Sequence, residues 1–272
     1  MSRLSWLPIL EHAAEIVWSY DTGVTLRQLF YRLVADLTLP NTRSYYQRLS
    51  SMTAQGRRDG TFPDLLDRVS RIERYRFWES AKDAQEWMRK ELRLDRTIGQ
   101  PWSIYLGVEK AGMSEQLDAW FTEPLGIPHV PLGGYASQSL CDQVTRDALR
   151  QRRPAVLIYA GDFDPSGEDM LRDLEKRTYF DKVIRVALNP EQVDEYGLVE
   201  SFDPEVVAKV ERDPRAAAFL RRHGSLVQYE LDALPPETLR DLYRNAIDDF
   251  WDDSAYRDVL EAEAAERQEL WT

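Results

Sequence analysis

Three acidic side chains follow two apolar segments of the chain. Asp162 and Asp164 come directly after AVLIYA, and Glu109 follows WSIYLGV. Carboxylates that lie close together repel one another unless a cation or a proton lies between them. Carboxylate oxygens are the ligands that Mg²⁺ prefers, and protein-bound Mg²⁺ usually also contacts phosphate oxygens. The sequence therefore predicts a site for Mg²⁺, or alternatively Mn²⁺, that is formed by Glu109, Asp162 and Asp164.

Asp164 also has a purely structural interpretation. It precedes Pro165, and an aspartate followed by proline is typical of the residue that caps the beginning of a helix. For Asp164 alone the two interpretations weigh equally, whereas the three carboxylates together favour a metal. Thiolate or imidazole metal sites are not indicated, because the chain has one cysteine and three widely spaced histidines.

An α/β fold would bring the three carboxylates together. WSIYLGV and AVLIYA are nearly continuous apolar runs, typical of parallel strands buried on both faces, and IPHVPL and KVIRVAL predict two more strands. Helical patterns such as SQSLCDQVTRDALRQR separate them, and this alternation predicts an α/β domain with a mostly parallel sheet. Such sheets bind ligands at the carboxyl ends of their strands, where these side chains are expected.

The first third of the chain is predicted to be helical. SWLPILEHAAEIVWSY has apolar residues at helical spacing, and TLRQLFYRLVADL begins with Thr25 and Gln28 at the spacing of a capping box. A third helix is predicted over TRSYYQRLSSMTAQGRR. Three helices and a Gly-containing loop are typical of a winged helix, although a plain helical bundle has the same pattern. A helical connector, RYRFWESAKDAQEWMRKELRL, then leads to a domain boundary between residues 1–98 and 99–272.

Charge is divided unevenly along the chain, whose net charge is −12. Residues 1–100 carry 16 Lys and Arg against 13 Asp and Glu, whereas residues 101–272 carry 19 against 34. The acidic C-terminal segment is predicted to be a solvated helix or a frayed tail. The local basic excess favours contacts with DNA phosphates, with solvated helix charge as the competing explanation. The arginines of this basic segment are Arg43, Arg48, Arg57 and Arg58.

Cellular location is indicated only by what the sequence lacks. No apolar stretch approaches the length that a membrane helix needs, and a single cysteine excludes an internal disulfide. We therefore expect a cytoplasmic protein without a membrane partner, associated with the nucleoid if it binds DNA.

Several motifs resemble those of one known family. GVEKAGM and GDFDPSG are similar to the Glu and Asp-x-Asp motifs of the Toprim domain, found in topoisomerases, primases and some nucleases. With GGYAS between them, they resemble the topoisomerase VI A subunit and the related meiotic break-forming transesterase. TLRQLFYRLV resembles that family's Arg-x-x-(Phe/Tyr)-Tyr motif, which lies in a winged-helix domain. These motifs cover most of residues 20–175, so the chain looks like a reduced, stand-alone form from bacteria or mobile elements.

The resemblance implies Mg²⁺-dependent cleavage of double-stranded DNA. Tyr31 matches the tyrosine that attacks the phosphodiester, with Arg27 as its phosphate-side partner and Lys110 as an electrostatic helper beside Glu109. A homodimer is implied, in which the tyrosine of one subunit meets the metal site of the other. The ATPase would be a separate subunit, because this chain has no Gly-rich phosphate loop. Two alternatives stay open: a Toprim nuclease that uses metal-activated water, and a non-catalytic DNA-binding subunit.

Helical spacing agrees with the choice of Tyr31. In a helix that begins after Thr25, Tyr31 lies off the apolar face and one turn after Arg27. The residues of that face are Leu26, Leu29, Phe30, Leu33 and Val34. Tyr45 and Tyr46 are rival candidates, although Tyr45 recurs at core spacing. A surface tyrosine with only a packing role is the competing interpretation.

Overall fold

The computed structural model describes residues 5–21, 23–66, 75–200 and 204–269. Within these residues, one parallel sheet of four strands is flanked by helices. The strands are β1 (Ser103–Val108), β2 (His129–Pro131), β3 (Ala155–Ala160) and β4 (Lys182–Ala187). The helices are α1 (Trp6–Ser19), α2 (Leu26–Ala35), α3 (Arg43–Arg58), α4 (Ala81–Glu91), α5 (Ser114–Leu117), α6 (Glu123–Leu125), α7 (Gln138–Arg150), α8 (Pro165–Arg177), α9 (Pro190–Glu195), α10 (Pro204–Glu211), α11 (Ala216–His223), α12 (Pro236–Asp248) and α13 (Asp253–Glu269).

The sheet has the strand order β2-β1-β3-β4, and every neighbouring pair is parallel. All residues of the two central strands, β1 and β3, are buried, as their continuous apolar sequences predicted. Val108 pairs with Ala160 at their carboxyl ends, so both chains leave the sheet at the same edge. The predicted parallel α/β sheet is therefore confirmed.

The three predicted N-terminal helices are confirmed as α1, α2 and α3. The capping box also forms, with the Gln28 N–H donating to Thr25 Oγ1 and the Thr25 N–H donating to Gln28 Oε1. These helices share a core whose buried residues include Ile9, Leu29 and Leu49. Residues 5–21 and 23–66 contain one isolated parallel bridge, between Thr25 and Leu66, and no hairpin. The wing of a winged helix is thus not seen in this part of the chain.

The connector helix is shorter than predicted. The hypothesis placed it over residues 74–94, of which residue 74 lies outside the described residues. The observed helix α4 begins only after Ser80, whose side chain accepts the Asp83 N–H at 3.1 Å. Because Ser80 is a strong N-cap residue, it ends the preceding extended segment and starts the helix there.

The two parts of the chain pack against each other through α2. Gln28 Nε2 donates to the buried Gln116 Oε1 at 3.0 Å, and Arg32 Nη1 donates to the Ala233 carbonyl at 3.1 Å. Ala233 closes a short 3₁₀ turn, Leu231–Ala233, that lies directly against α2. This contact sets the N-terminal helices beside the carboxyl edge of the sheet.

The acidic C-terminal helix α13 is attached more firmly than a solvated or frayed tail. Its Glu263 is buried and pairs with Arg96 at 2.7 Å and Arg267 at 2.6 Å, while also accepting the Leu94 N–H. The predicted C-terminal helix is therefore confirmed over residues 253–269, whereas the frayed-tail alternative is wrong there, because the ion pair of Glu263 with Arg96 anchors the helix to the chain that follows α4. Among the described helices, none combines the length and the apolar character needed to cross a membrane.

Candidate functional site

Glu109 and Asp162 meet where β1 and β3 end. The Asp162 N–H donates to Glu109 Oε2 at 2.8 Å, and both side chains are buried. Gly167 keeps the next turn close, since a Cβ at this position would lie 2.4 Å from the Asp162 carbonyl and 3.0 Å from Glu109 Oε2. The predicted convergence of these two carboxylates at one edge of the sheet is therefore observed.

Asp164 caps helix α8. Its Oδ1 accepts the Gly167 N–H at 2.7 Å, and Pro165 follows at the first helical position. Burial raises the pKa of Asp164, although these backbone hydrogen bonds oppose the rise. The capping interpretation of Asp164 is confirmed, and its role as a metal ligand stays a prediction.

Substitutions of Asp164 separate these two roles. We expect Asp164→Ala to lower the free energy of unfolding by about 1 kcal/mol, as loss of an N-cap does, and Asp164→Asn to retain it. If the carboxylate also binds a metal and the chain cleaves DNA as the resemblance implies, both variants will lose that cleavage. Urea unfolding and a cleavage assay test this, with Ser137→Ala as control because Ser137 caps α7 and not α8. Full cleavage by Asp164→Asn would remove Asp164 from the metal site.

Lys110 lies where a cation would offset the charge of Asp162. Its Nζ forms a short contact with Asp162 Oδ2, while Asp162 Oδ1 accepts the Leu231 N–H at 2.8 Å. Both oxygens of Asp162 therefore already have partners from the chain itself. The prediction that Lys110 supports this site electrostatically agrees with its position.

Glu230 and Asp232 were not predicted as site residues. Arg27 Nη2 and Lys110 Nζ each lie 2.7 Å from Glu230 Oε2, and Arg27 Nε lies 3.2 Å from Asp232 Oδ2. Both acidic residues are buried. The available signal was their spacing, since they stand two positions apart like Asp162 and Asp164.

Tyr31 lies beside this cluster in the same chain. The Arg27 guanidinium carbon is 5.1 Å from the centre of the Tyr31 ring, which also makes an edge contact with Phe30. Burial and the charge of Glu230 raise the pKa of Tyr31 well above its usual range, although Arg27 and Lys110 oppose the rise. Tyr31 is thus partly buried and keeps its proton in this arrangement. Exchange of the tyrosine between subunits stays a prediction from the resemblance.

The cluster has more acidic groups than basic ones. Two cations, Lys110 and Arg27, pair with carboxylates of the cluster, and a third, Arg185, donates to the Asp162 carbonyl. The five buried acidic residues are Glu109, Asp162, Asp164, Glu230 and Asp232. Burial and the neighbouring Glu230 raise the pKa of Asp162 well above its usual range. Burial opposes ionisation of Glu230 too, but Lys110 and Arg27 lower its pKa to about 2. The negative excess favours uptake of a cation or a proton.

The side chains of this cluster have the right donor atoms for a divalent metal, but they are not arranged around a common metal position. Buried carboxylate oxygens with excess negative charge suit a hard cation such as Mg²⁺. In the described ranges, however, no three or more His, Cys, Asp or Glu side chains are positioned to hold a metal ion together. Both oxygens of Asp162 and Oδ1 of Asp164 instead accept hydrogen bonds from Lys110, Leu231 and Gly167.

Two cavities adjoin the cluster, and Arg27 lines both. One, of about 470 Å³, is lined by Glu109 and Lys110 and by the glycine-containing segments 111–112 and 133–134. The other, of about 260 Å³, is lined by Tyr31, Tyr46 and Arg43. Arg27 therefore lies between the cavity of Glu109 and Lys110 and the cavity of Tyr31 and Tyr46.

The predicted DNA-binding arginines are not all close to this cluster. Arg43 lines the cavity of Tyr31. The Arg48 guanidinium carbon lies 5.1 Å from the Trp6 ring centre, and Arg57 and Arg58 donate to groups on their own helix. The structure thus brings one of the four arginines to the site, and the DNA contacts of all four stay predictions.

Comparison of this chain with protein-family models and with curated proteins finds no match. The resemblance to Toprim and topoisomerase VI A motifs rests on the residues of those motifs alone. The functional interpretation accordingly depends on the geometry around Tyr31, Glu109 and Asp162.

Proposed function

We propose that this chain cleaves double-stranded DNA by tyrosine transesterification and is similar to the topoisomerase VI A subunit. Residues 1–98 would be the winged-helix domain and residues 99–272 the Toprim domain. The observation that carries the proposal is the convergence of two distant motifs. The carboxylate of Glu230 pairs with both Arg27 of α2 and Lys110. Lys110 directly follows Glu109 and contacts Asp162. Tyr31 lies one helical turn after Arg27, close enough to Glu230 for its charge to raise the tyrosine's pKa.

The chain's own residues have distinct roles in the proposed reaction. The Tyr31 oxygen bonds to phosphorus, the bond from phosphorus to the leaving sugar oxygen breaks, and the proton that the Tyr31 hydroxyl loses is balanced by the one that this sugar oxygen gains, with water carrying it between them. Arg27 and Lys110 attract the phosphate and stabilise its developing charge. When bound by Glu109, Asp162 and Asp164, Mg²⁺ would supply further positive charge at the phosphate. Burial and the charge of Glu230 both oppose the loss of the tyrosine's proton, so Tyr31 has to become more exposed and Glu230 has to move away first.

A Toprim nuclease is the second candidate, and one observation favours it. The 470 Å³ cavity beside Glu109 and Lys110 is not lined by Tyr31, which keeps its proton in a separate cavity. In that reaction a water molecule would attack phosphorus and Tyr31 would only position DNA. The two reactions differ in one product: only transesterification leaves DNA covalently attached to the chain after denaturation, which is the test of the proposal.

Cleavage of both strands requires two tyrosines, so we expect a homodimer. One Tyr31 cuts one strand, and a twofold pair of chains is the simplest arrangement that cuts two. Sedimentation in the presence of duplex DNA should give a protein mass of twice 31.7 kDa. A monomer under conditions in which both strands are cut would contradict paired cleavage. A separate ATPase subunit, also proposed from the resemblance, would add strand passage and is not needed for cutting.

A further inference from the structure

Two cations converge on one carboxylate oxygen. Arg27 Nη2 and Lys110 Nζ both lie 2.7 Å from Glu230 Oε2, and the charge of Glu230 raises the pKa of the nearby Tyr31. The other oxygen, Oε1, accepts a hydrogen bond from Gln228 Nε2 at 3.1 Å. Glu230 is only 7% exposed, so this contact is made away from bulk water.

The surroundings of Glu230 Oε2 are those of a bound phosphate oxygen. Arginine and lysine bind carboxylates and phosphates through the same charge-assisted hydrogen bonds. Arg27 and Lys110 come from segments 83 positions apart in the chain, yet both direct a nitrogen at this one oxygen. Tyr31, the proposed nucleophile, lies beside them, with the Arg27 guanidinium carbon 5.1 Å from the centre of its ring. These are the groups that the proposed reaction needs around the phosphate that is cleaved.

We infer that Glu230 is an internal competitor for DNA phosphate, whose carboxylate occupies the position between Arg27, Lys110 and Tyr31 until a phosphate displaces it. This inference rests on the proposed function, because it assigns the same cations to DNA. A phosphate that enters must separate Glu230 from both cations. The apparent affinity for DNA is then lower than the intrinsic affinity, by the fraction of chains in which Glu230 has moved away.

The competitor is connected to the packing of α2. Glu230 directly precedes the Leu231–Ala233 turn, in which the Leu231 N–H binds Asp162 and the Ala233 carbonyl binds Arg32. Movement of Glu230 therefore strains contacts on both sides of the turn. DNA binding should therefore loosen α2 from the α/β part. It should also move Glu230 away from Tyr31, whose pKa its charge raises.

Glu230→Gln is suited to test the inference because Lys110 and Arg27 each keep another acidic partner in this variant. Lys110 keeps its contact with Asp162, and Arg27 keeps Asp232. We therefore expect the variant to fold, with thermal unfolding as the check. Glutamine has the same shape but no charge, so it competes less well with phosphate.

The experiment measures binding of a short fluorescent DNA duplex by anisotropy, in chelator so that no cleavage occurs. Glu230→Gln should bind about tenfold more tightly than wild type, the effect of removing one charged hydrogen-bonding competitor. Asp232→Asn should give a smaller gain, because Asp232 contacts Arg27 but not Lys110. Glu263→Gln is the matched control: it removes the same charge from a buried glutamate that two arginines hold elsewhere.

The outcomes separate this inference from the proposed function. A Glu230→Gln variant that binds no more tightly than wild type overturns the inference, as does an equal gain in Glu263→Gln. If binding still depends on Arg27 in that case, the proposed DNA site stands without the competitor. If Glu230→Gln binds more tightly but no covalent adduct ever forms, the inference stands and transesterification fails.

Discussion

Tyr31→Phe will form no protein–DNA adduct that survives denaturation, and it will cut duplex DNA at least about 1,000-fold more slowly than wild type. The substitution removes only the hydroxyl oxygen that would bond to phosphorus. The ring keeps its edge contact with Phe30 and its position below Arg27, so folding and DNA binding should be retained. Denaturing gel electrophoresis of labelled DNA measures the adduct and the broken strands together.

Tyr46→Phe is the matched control for this prediction. Tyr46 lines the same cavity as Tyr31 and also contacts the Phe30 ring at its edge. Its variant should form adducts as wild type does. Adducts that vanish in Tyr46→Phe and survive in Tyr31→Phe would move the nucleophile to Tyr46. Cutting by Tyr31→Phe at nearly the wild-type rate, with no adduct from either protein, would indicate the nuclease.

Asp162→Asn should reduce Mg²⁺-dependent cleavage by at least about 100-fold while preserving the fold. An amide oxygen still accepts the Leu231 N–H, and Lys110 still pairs with Glu230. The new amide NH2 faces Lys110 Nζ donor against donor, so we expect a modest fall in thermal stability, partly offset by the loss of one negative charge from a crowded cluster. Cleavage rates and unfolding temperatures, measured with and without Mg²⁺, check both expectations.

Asp169→Asn provides the control for loss of a carboxylate near the site. Asp169 lies on α8, five positions after Asp164. It binds Tyr135 and Arg172, which are not residues of the cluster. This variant should cleave DNA at the wild-type rate. Undiminished cleavage by Asp162→Asn, or by wild type in chelator, would contradict a metal-dependent reaction.

The strands β1 and β3 and the proximity of Glu109 to Asp162 were predictable, because each follows from the pattern of residues within a short segment. Continuous apolar runs identify β1 and β3, and the parallel arrangement of their ends follows from the alternation with helices. The Thr25 and Gln28 capping box likewise uses residues three positions apart. In these cases the residues that interact are close in sequence or are fixed by the topology.

The centre of the site was not predictable, because it depends on contacts between distant segments. Glu230 meets Arg27 across 203 positions and Lys110 across 120. No periodic pattern indicates that the Leu231–Ala233 turn packs on α2. The burial of Glu263 has the same origin, since its partner Arg96 lies 167 positions away. In the sequence alone, the charged residues of such pairs cannot be told from charged residues on the solvent-exposed face of a helix.

The amino acid that carries DNA after cleavage distinguishes tyrosine transesterification from every other reaction. Wild-type protein is incubated with duplex DNA and Mg²⁺, denatured, digested with nuclease and protease, and analysed by mass spectrometry. We expect a nucleotide attached through phosphate to Tyr31, and to no other residue. A nucleotide on another residue, or broken DNA with no nucleotide-bearing peptide, would contradict transesterification by Tyr31.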